Sequence, residues 1–330
     1  METFLKQVAS DLHQRKGNDL AHTAIVFPNK RAGLFFNEYL AQQSDKPIWA
    51  PAYISISELF RSLSTWETGD PVKLVCELYK VFCEQTHSKE SLDEFYFWGE
   101  LLLADLDDAD KNLVDTERLF TNLKDLHDLM DDYTFMDKEQ EAAIQQFFQN
   151  FSIEKRTALK EKFISIWDSL GGIYEGFRHR LMEQGIAYEG MLYRDVVEKL
   201  DTDALPYDTY VFVGFNVLNK VERELFTKLM NAGKALFYWD YDAFYMDKEH
   251  HEAGEFIKRN LKMFPSALPE SAFQGMNTLS TPKQITYIAS PTENAQARYL
   301  PQCLPKNDSY NQSPTALLQC KNMLLQRGLP

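Results

Sequence analysis

No run of about twenty consecutive apolar residues occurs in this 330-residue chain, so no segment reads as a membrane-spanning helix. Cysteine is scarce, at four residues. Cys76 and Cys83 sit seven apart on one predicted helical face, with Cys303 and Cys320 far along the chain. No metal-ligand spacing appears, and free, buried thiols are expected. Positive charge is short as well: 35 Lys and Arg stand against 49 Asp and Glu, a net charge of −14. Such a chain repels phosphate at long range. Any contact with nucleic acid must then be local, or shared with a partner that brings positive charge. The opening METFLKQVASDLHQRKGNDL is charged and lacks an apolar signal core, so the expected location is the cytoplasm, with no membrane attachment.

Several catalytic motifs are missing too. A phosphate-cradling P-loop needs glycines that free backbone amides, a Lys for the β- and γ-phosphates, and a Ser or Thr for magnesium. Gly233-Lys234 is the one Gly-Lys pair, but Ala235 follows it and Lys228 occupies the place of the first glycine. A two-metal nuclease of the D/E-x-K kind needs an acid two residues before a lysine, and no lysine here has one. The acidic run DLDDADKNLVD, Asp105 to Asp115, comes nearest, but Ala109 precedes Lys111 by two. It reads as a solvated helix end or an interdomain cap. Gly-x-Ser-x-Gly is absent, and the neighbours His250 and His251 point apart on a helix. His127, set among acids, reads as a surface histidine. The sequence thus offers no catalytic residues, no metal site and no cofactor.

What is present is an α/β pattern interrupted by helices. ETFLKQVASDLHQR has helical spacing, HTAIVFP is a short apolar run halted by Pro28, and KRAGLFFNEYLAQQ is helical again. PIWAPAYISIS is extended, and SISELFRSLS opens a helix with Ser55 and Glu58 spaced as a capping box. From about Pro71 to Leu200 strand-like runs vanish and helical spacing takes over. Strand, helix and strand then return as TYVFVGF, NKVERELFTKLMNAG with Gly233 at its end, and KALFYWDYD, the pattern of a right-handed parallel crossover. QITYIAS is one more expected strand. Most aromatics fall at core-like positions. The turn Pro28-Asn29-Lys30-Arg31, between a strand and a helix, can present two cations and helix amides to a phosphate.

In order, AIVFPNKRAGLFFNEYLA, YISISELF, FYFWGELLLADLDDADKNLVD, YDTYVFVGFNVLNKVERELFTKLMNAGKALFYWDYD and ITYIASPTENAQARYL resemble the N-terminal half of the AddB-like helicase-exonuclease subunits, proteins also described as PD-(D/E)XK nuclease family members. The resemblance covers roughly residues 20–300. It implies a RecA-like, P-loop NTPase-type parallel sheet with a large all-helical inserted subdomain. Residues 1–70 plus 200–285 would form the degenerate RecA-like domain and 71–199 the helical insertion. Residues 286–330 would be the start of a second domain or a truncated tail, the chain being expected as a truncated or frame-disrupted copy. The function implied is non-catalytic. The chain would support single-stranded DNA handling in double-strand-break repair beside an active AddA-like helicase-nuclease subunit, binding DNA weakly. Pro28, Asn29, Lys30 and Arg31 match the turn where helicase relatives touch single-stranded DNA. Gly214 and Phe215 match the pair after the magnesium-binding acid, with Val213 in the place of that acid and Asn216 after the pair. Glu222 matches an acid on the next helix, expected to be structural. The alternative is an acidic protein-interaction scaffold with no DNA role.

Overall fold

The computed structural model describes residues 3–120, 169–247 and 252–269, with positions 279, 282–283, 289–292, 294–295 and 298–299. Outside the described residues lie the helices expected over 121–168, most of the expected strand QITYIAS, His127, His250, His251, Cys303 and Cys320. The chain divides into two units, Met1–Ser280 and Thr281–Pro330, and the sheet belongs to the first.

The elements run α1 (Phe4–Lys16), β1 (Thr23–Phe27), α2 (Arg31–Ala41), β2 (Ala52–Ser55), α3 (Ile56–Leu63), β3 (Glu67–Thr68), α4 (Pro71–Thr86), α5 (Leu92–Lys111), α6 (described over 169–183), β4 (Ile186–Ala187), α7 (Glu189–Lys199), β5 (Thr209–Val213), α8 (Lys220–Asn231), β6 (Ala235–Tyr238), α9 (Ala243–Asp247) and α10 (Glu252–Met263). The fold is α/β. Among the described residues its main sheet is four-stranded and all parallel, in the order β2-β1-β5-β6. The strands before and after the helical region therefore share one sheet, with Val26 opposite Phe212.

TAIVF and TYVFV are buried along their whole length, which is why they are continuous apolar runs rather than alternating ones. Successive side chains still take opposite faces. Ile25, Phe27, Val211, Val213 and Tyr238 pack under α1 and α2, whereas Ala24, Val26, Tyr210, Phe212 and Phe237 pack under α3 and α8. Each Ile, Val or Phe among them, removed from water, contributes about 1.5–3 kcal/mol. The opposite placement of α2 and α8 follows from handedness. β1-α2-β2 steps one way across the sheet and β5-α8-β6 the other, so right-handed crossovers put their helices on opposite faces.

Polar bonds pin α1 to the sheet. The Tyr238 hydroxyl donates to Asp11 Oδ2 at 2.6 Å, and Lys16 Nζ donates to Thr209 Oγ1 at 2.8 Å. The capping box at Ser55 and Glu58 forms, Glu58 N donating to Ser55 Oγ at 3.3 Å and Ser55 N to Glu58 Oε2 at 2.9 Å. A second box, Asn219 with Glu222, starts α8 and gives Glu222 its structural role. Gly233, with φ 68°, ends that helix in the left-handed region.

The helices α4, α5, α6 and α7 share one hydrophobic core with the α3 and α8 face of the sheet. Three features here differ from the sequence expectation. Residues 71–199 are not free of strand: β4 pairs in parallel with β3, Glu67 opposite Ile186, joining the two ends of the helical region. Two-residue strands are too short to show a period. Asp110, within the acidic run, is wholly buried rather than a solvated helix end. Tyr174 Oη donates to its Oδ1 at 2.7 Å, Arg194 Nη1 donates to Oδ1 at 3.1 Å, Arg178 Nη1 donates to Oδ2 at 3.0 Å, and the Tyr188 hydroxyl donates to Oδ2. The carboxylate thereby ties α5 to α6 and α7, and burial next to it pushes the Tyr174 phenol up to about 12. Cys76 and Cys83 are free, as expected, but half-buried rather than buried.

Candidate functional site

β1 and β5 are neighbours whose onward connections leave in opposite directions. In open α/β sheets, ligands bind in the crevice beyond the carboxyl ends of two such strands. The two groups of residues singled out from the sequence stand on either side of this crevice.

On the β1 side, the connection to α2 is residues 28–30 alone. A Gly-rich phosphate loop, about eight residues long, does not fit there. Pro28 has no N–H to continue the ladder. Asn29 Oδ1 accepts from Arg31 N at 3.1 Å, an Asx turn that leads into α2, whose N-cap residue Lys30 makes no side-chain capping bond. Pro28, Asn29, Lys30 and Arg31 are all exposed. Lys30 is not free for a ligand: its Nζ lies 2.5 Å from Glu58 Oε1. That ammonium, together with the Ser55 backbone bond, holds the Glu58 carboxyl down at about 2. Among the described residues, the Arg31 guanidinium has no ion pair. Beside the turn, Phe27, Lys30, Leu34, Asn37, Tyr53 and Glu58 line a groove of about 340 Å³. Across it the Tyr53 hydroxyl donates to Asn37 Oδ1 at 3.1 Å, and burial pushes this phenol up to about 12.

On the β5 side, Val213 is fully buried in the core under α1 and α2. Gly214 breaks the strand with φ 74°, a left-handed conformation that side chains resist, while its N–H donates to Tyr238 O at 3.0 Å. Phe215 turns to the opposite face, edge-on to Phe226 at 5.4 Å. Asn216 and Val217 are exposed. Asn260, from α10, is buried and donates through Nδ2 to the Asn216 carbonyl at 2.6 Å, fixing the turn. At the end of β6, Trp239 Nε1 donates to Phe264 O at 2.8 Å.

Sequence reasoning missed Glu58 as the partner of Lys30, and Asn260 altogether. The spacing of Ile257, Leu261 and Phe264 carries the signal for α10. Nothing local signals the long-range pairing of Lys30. Of the positions nominated, the exposed ones (Pro28, Asn29, Lys30, Arg31, Gly214 and Asn216) face solvent around the crevice, while Val213 and Phe215 belong to the core. Chemically, the crevice offers α2 amides, one unpaired guanidinium and two exposed amide side chains, donors suited to a phosphate oxygen. Among the described residues, no three His, Cys, Asp or Glu side chains converge to hold a metal ion. No helix among them is long and apolar enough to cross a membrane. Neither a protein-family model nor a curated protein matches this chain.

Proposed function

We propose that this chain is the helicase-like portion of a helicase-nuclease subunit of DNA double-strand-break repair. In this reading the fold is RecA-like, with the α4–α7 region inserted into it. The chain handles single-stranded DNA beside an active AddA-like partner in the cytoplasm and does not hydrolyse nucleotide itself. The observation that carries the reading is the meeting of residues 28–31 and 214–217 at the carboxyl ends of adjacent strands, on the two sides of a switch point. The ordered resemblance to AddB-like subunits supplies the class. Val213 adds support: an apolar, buried side chain occupies the place of a magnesium-binding acid.

The cationic supply is small, since Lys30 is already paired and Arg31 stands nearly alone. Binding is therefore weak and salt-sensitive. Each phosphate neutralised on a single strand contributes about −0.7 to the slope of log K against log salt. The test is fluorescence anisotropy of a labelled oligothymidylate at about 50 mM and about 200 mM salt. Wild type binds weakly and loses affinity with salt, and Arg31→Ala lowers both affinity and slope. Tight binding indifferent to salt, or an unchanged slope in Arg31→Ala, overturns the reading.

A further inference from the structure

The outer face of α5 is a ridge with an apolar centre and acidic flanks. Gly99, Phe95, Leu102, Leu106 and Asp110 point inward and are buried. On the opposite side Phe97 is 74% exposed and Leu101 is 56% exposed. They are four residues apart, hence stacked on one stripe, and Ala104 continues it. Asp93, Glu100, Asp105 and Asp108 surround the stripe and are exposed. Inward-turned acids of the same helix are neutralised: Asp107 holds Lys111 and Asp110 holds two arginines. Among the described residues no Lys or Arg pairs with Asp93, Glu100, Asp105 or Asp108. Most other aromatics of this region are buried or half-buried, so Phe97 stands apart from the core that the rest of α5 serves.

We infer that this face docks a basic amphipathic helix of a partner protein. Charge decides the occupant. Four unneutralised carboxylates repel nucleic acid and anionic lipid, and a second copy of a chain with net charge −14 brings like charge to like. A helix with an apolar stripe matches the four-residue ridge of Phe97 and Leu101, and flanking Lys or Arg matches the acids. The two large side chains are the anchors, and the acids set orientation and on-rate. This inference is independent of DNA handling at the β1–β5 crevice.

The experiment titrates the full chain into a labelled twenty-residue helical peptide with a Leu/Phe stripe flanked by lysines, alongside a control peptide with glutamates in place of the lysines. Wild type binds the lysine peptide and not the glutamate peptide. The double variants Phe97→Ala with Leu101→Ala, and Asp105→Lys with Asp108→Lys, each weaken binding by about tenfold or more. Trp49→Ala, exposed elsewhere, leaves it unchanged. All these changes are at the surface, and circular dichroism verifies folding. Equal binding by wild type and both double variants overturns the inference, as does no binding by wild type. In the latter case a dimeric mass lost in Phe97→Ala with Leu101→Ala assigns the face to a second copy.

Discussion

Lys30 and Glu58, from the turn after β1 and the first turn of α3, form an ion pair at 2.5 Å. The pair joins the start of α2 to the start of α3 and occupies the cation that sequence reasoning had offered to DNA. Glu58→Gln keeps the capping box, because glutamine bonds the Ser55 N–H as glutamate does, but it releases Lys30. Single-stranded DNA binding then strengthens severalfold at low salt and its salt slope steepens by about 0.7. Anisotropy titrations of the two proteins check it, and identical slopes would show that Lys30 never reaches a phosphate.

The same pair sets a pH dependence. The folded Glu58 pKa, about 2, lies below its unfolded value. Its stabilisation is therefore fully present above the ordinary glutamate range and is lost as pH falls toward 2. Carboxyl titration by NMR places the midpoint near 2 in wild type and moves it upward in Lys30→Ala. A midpoint near the ordinary value in wild type would mean the pair does not form in solution.

Asp110→Ala leaves Arg178 and Arg194 facing each other without their shared carboxylate. Removing one member of a buried charged set costs about 3–5 kcal/mol. Urea denaturation measures the loss. A loss under about 1 kcal/mol would mean water reaches the site.

Val213→Asp tests whether the missing acid can simply be restored. The side chain would sit among Ile25, Phe27, Val211 and Tyr238 in the core under α1 and α2. A carboxylate there is desolvated, so its folded pKa rises above its unfolded one. The variant is destabilised by about 3 kcal/mol or more at neutral pH, and less as pH falls and the acid is protonated. Denaturation midpoints at two pH values check the sign. Equal stability at both would show that the position is open to water.

Much of the fold is legible because the determinants are local. The runs AIVF and YVFV announce buried strands, Ser55-x-x-Glu58 a helix start, and Gly233 a helix end. That strands before and after the helical region share one sheet is an expectation that Val26 opposite Phe212 bears out, whereas the side-by-side placement of β1 and β5 comes from the structure alone. The interior is not legible in the same way. Asp110 meets its partners from residues 174, 178, 188 and 194, across the chain, so its acidic neighbours disguise it as surface. Lys30 and Glu58 likewise belong to separate motifs that meet only after folding. The exposed Phe97 hides inside an aromatic run, FYFW, whose other members are buried or half-buried.

Photo-crosslinking tests most directly whether single-stranded DNA lies in the crevice between β1 and β5. An oligothymidylate carrying 4-thiothymidine is bound to the full chain, irradiated and mapped by peptide mass spectrometry. Adducts are expected in the stretches around residues 28–34 and 214–217, suppressed by Arg31→Ala. Adducts confined to other surfaces, with none at either stretch, would contradict that placement.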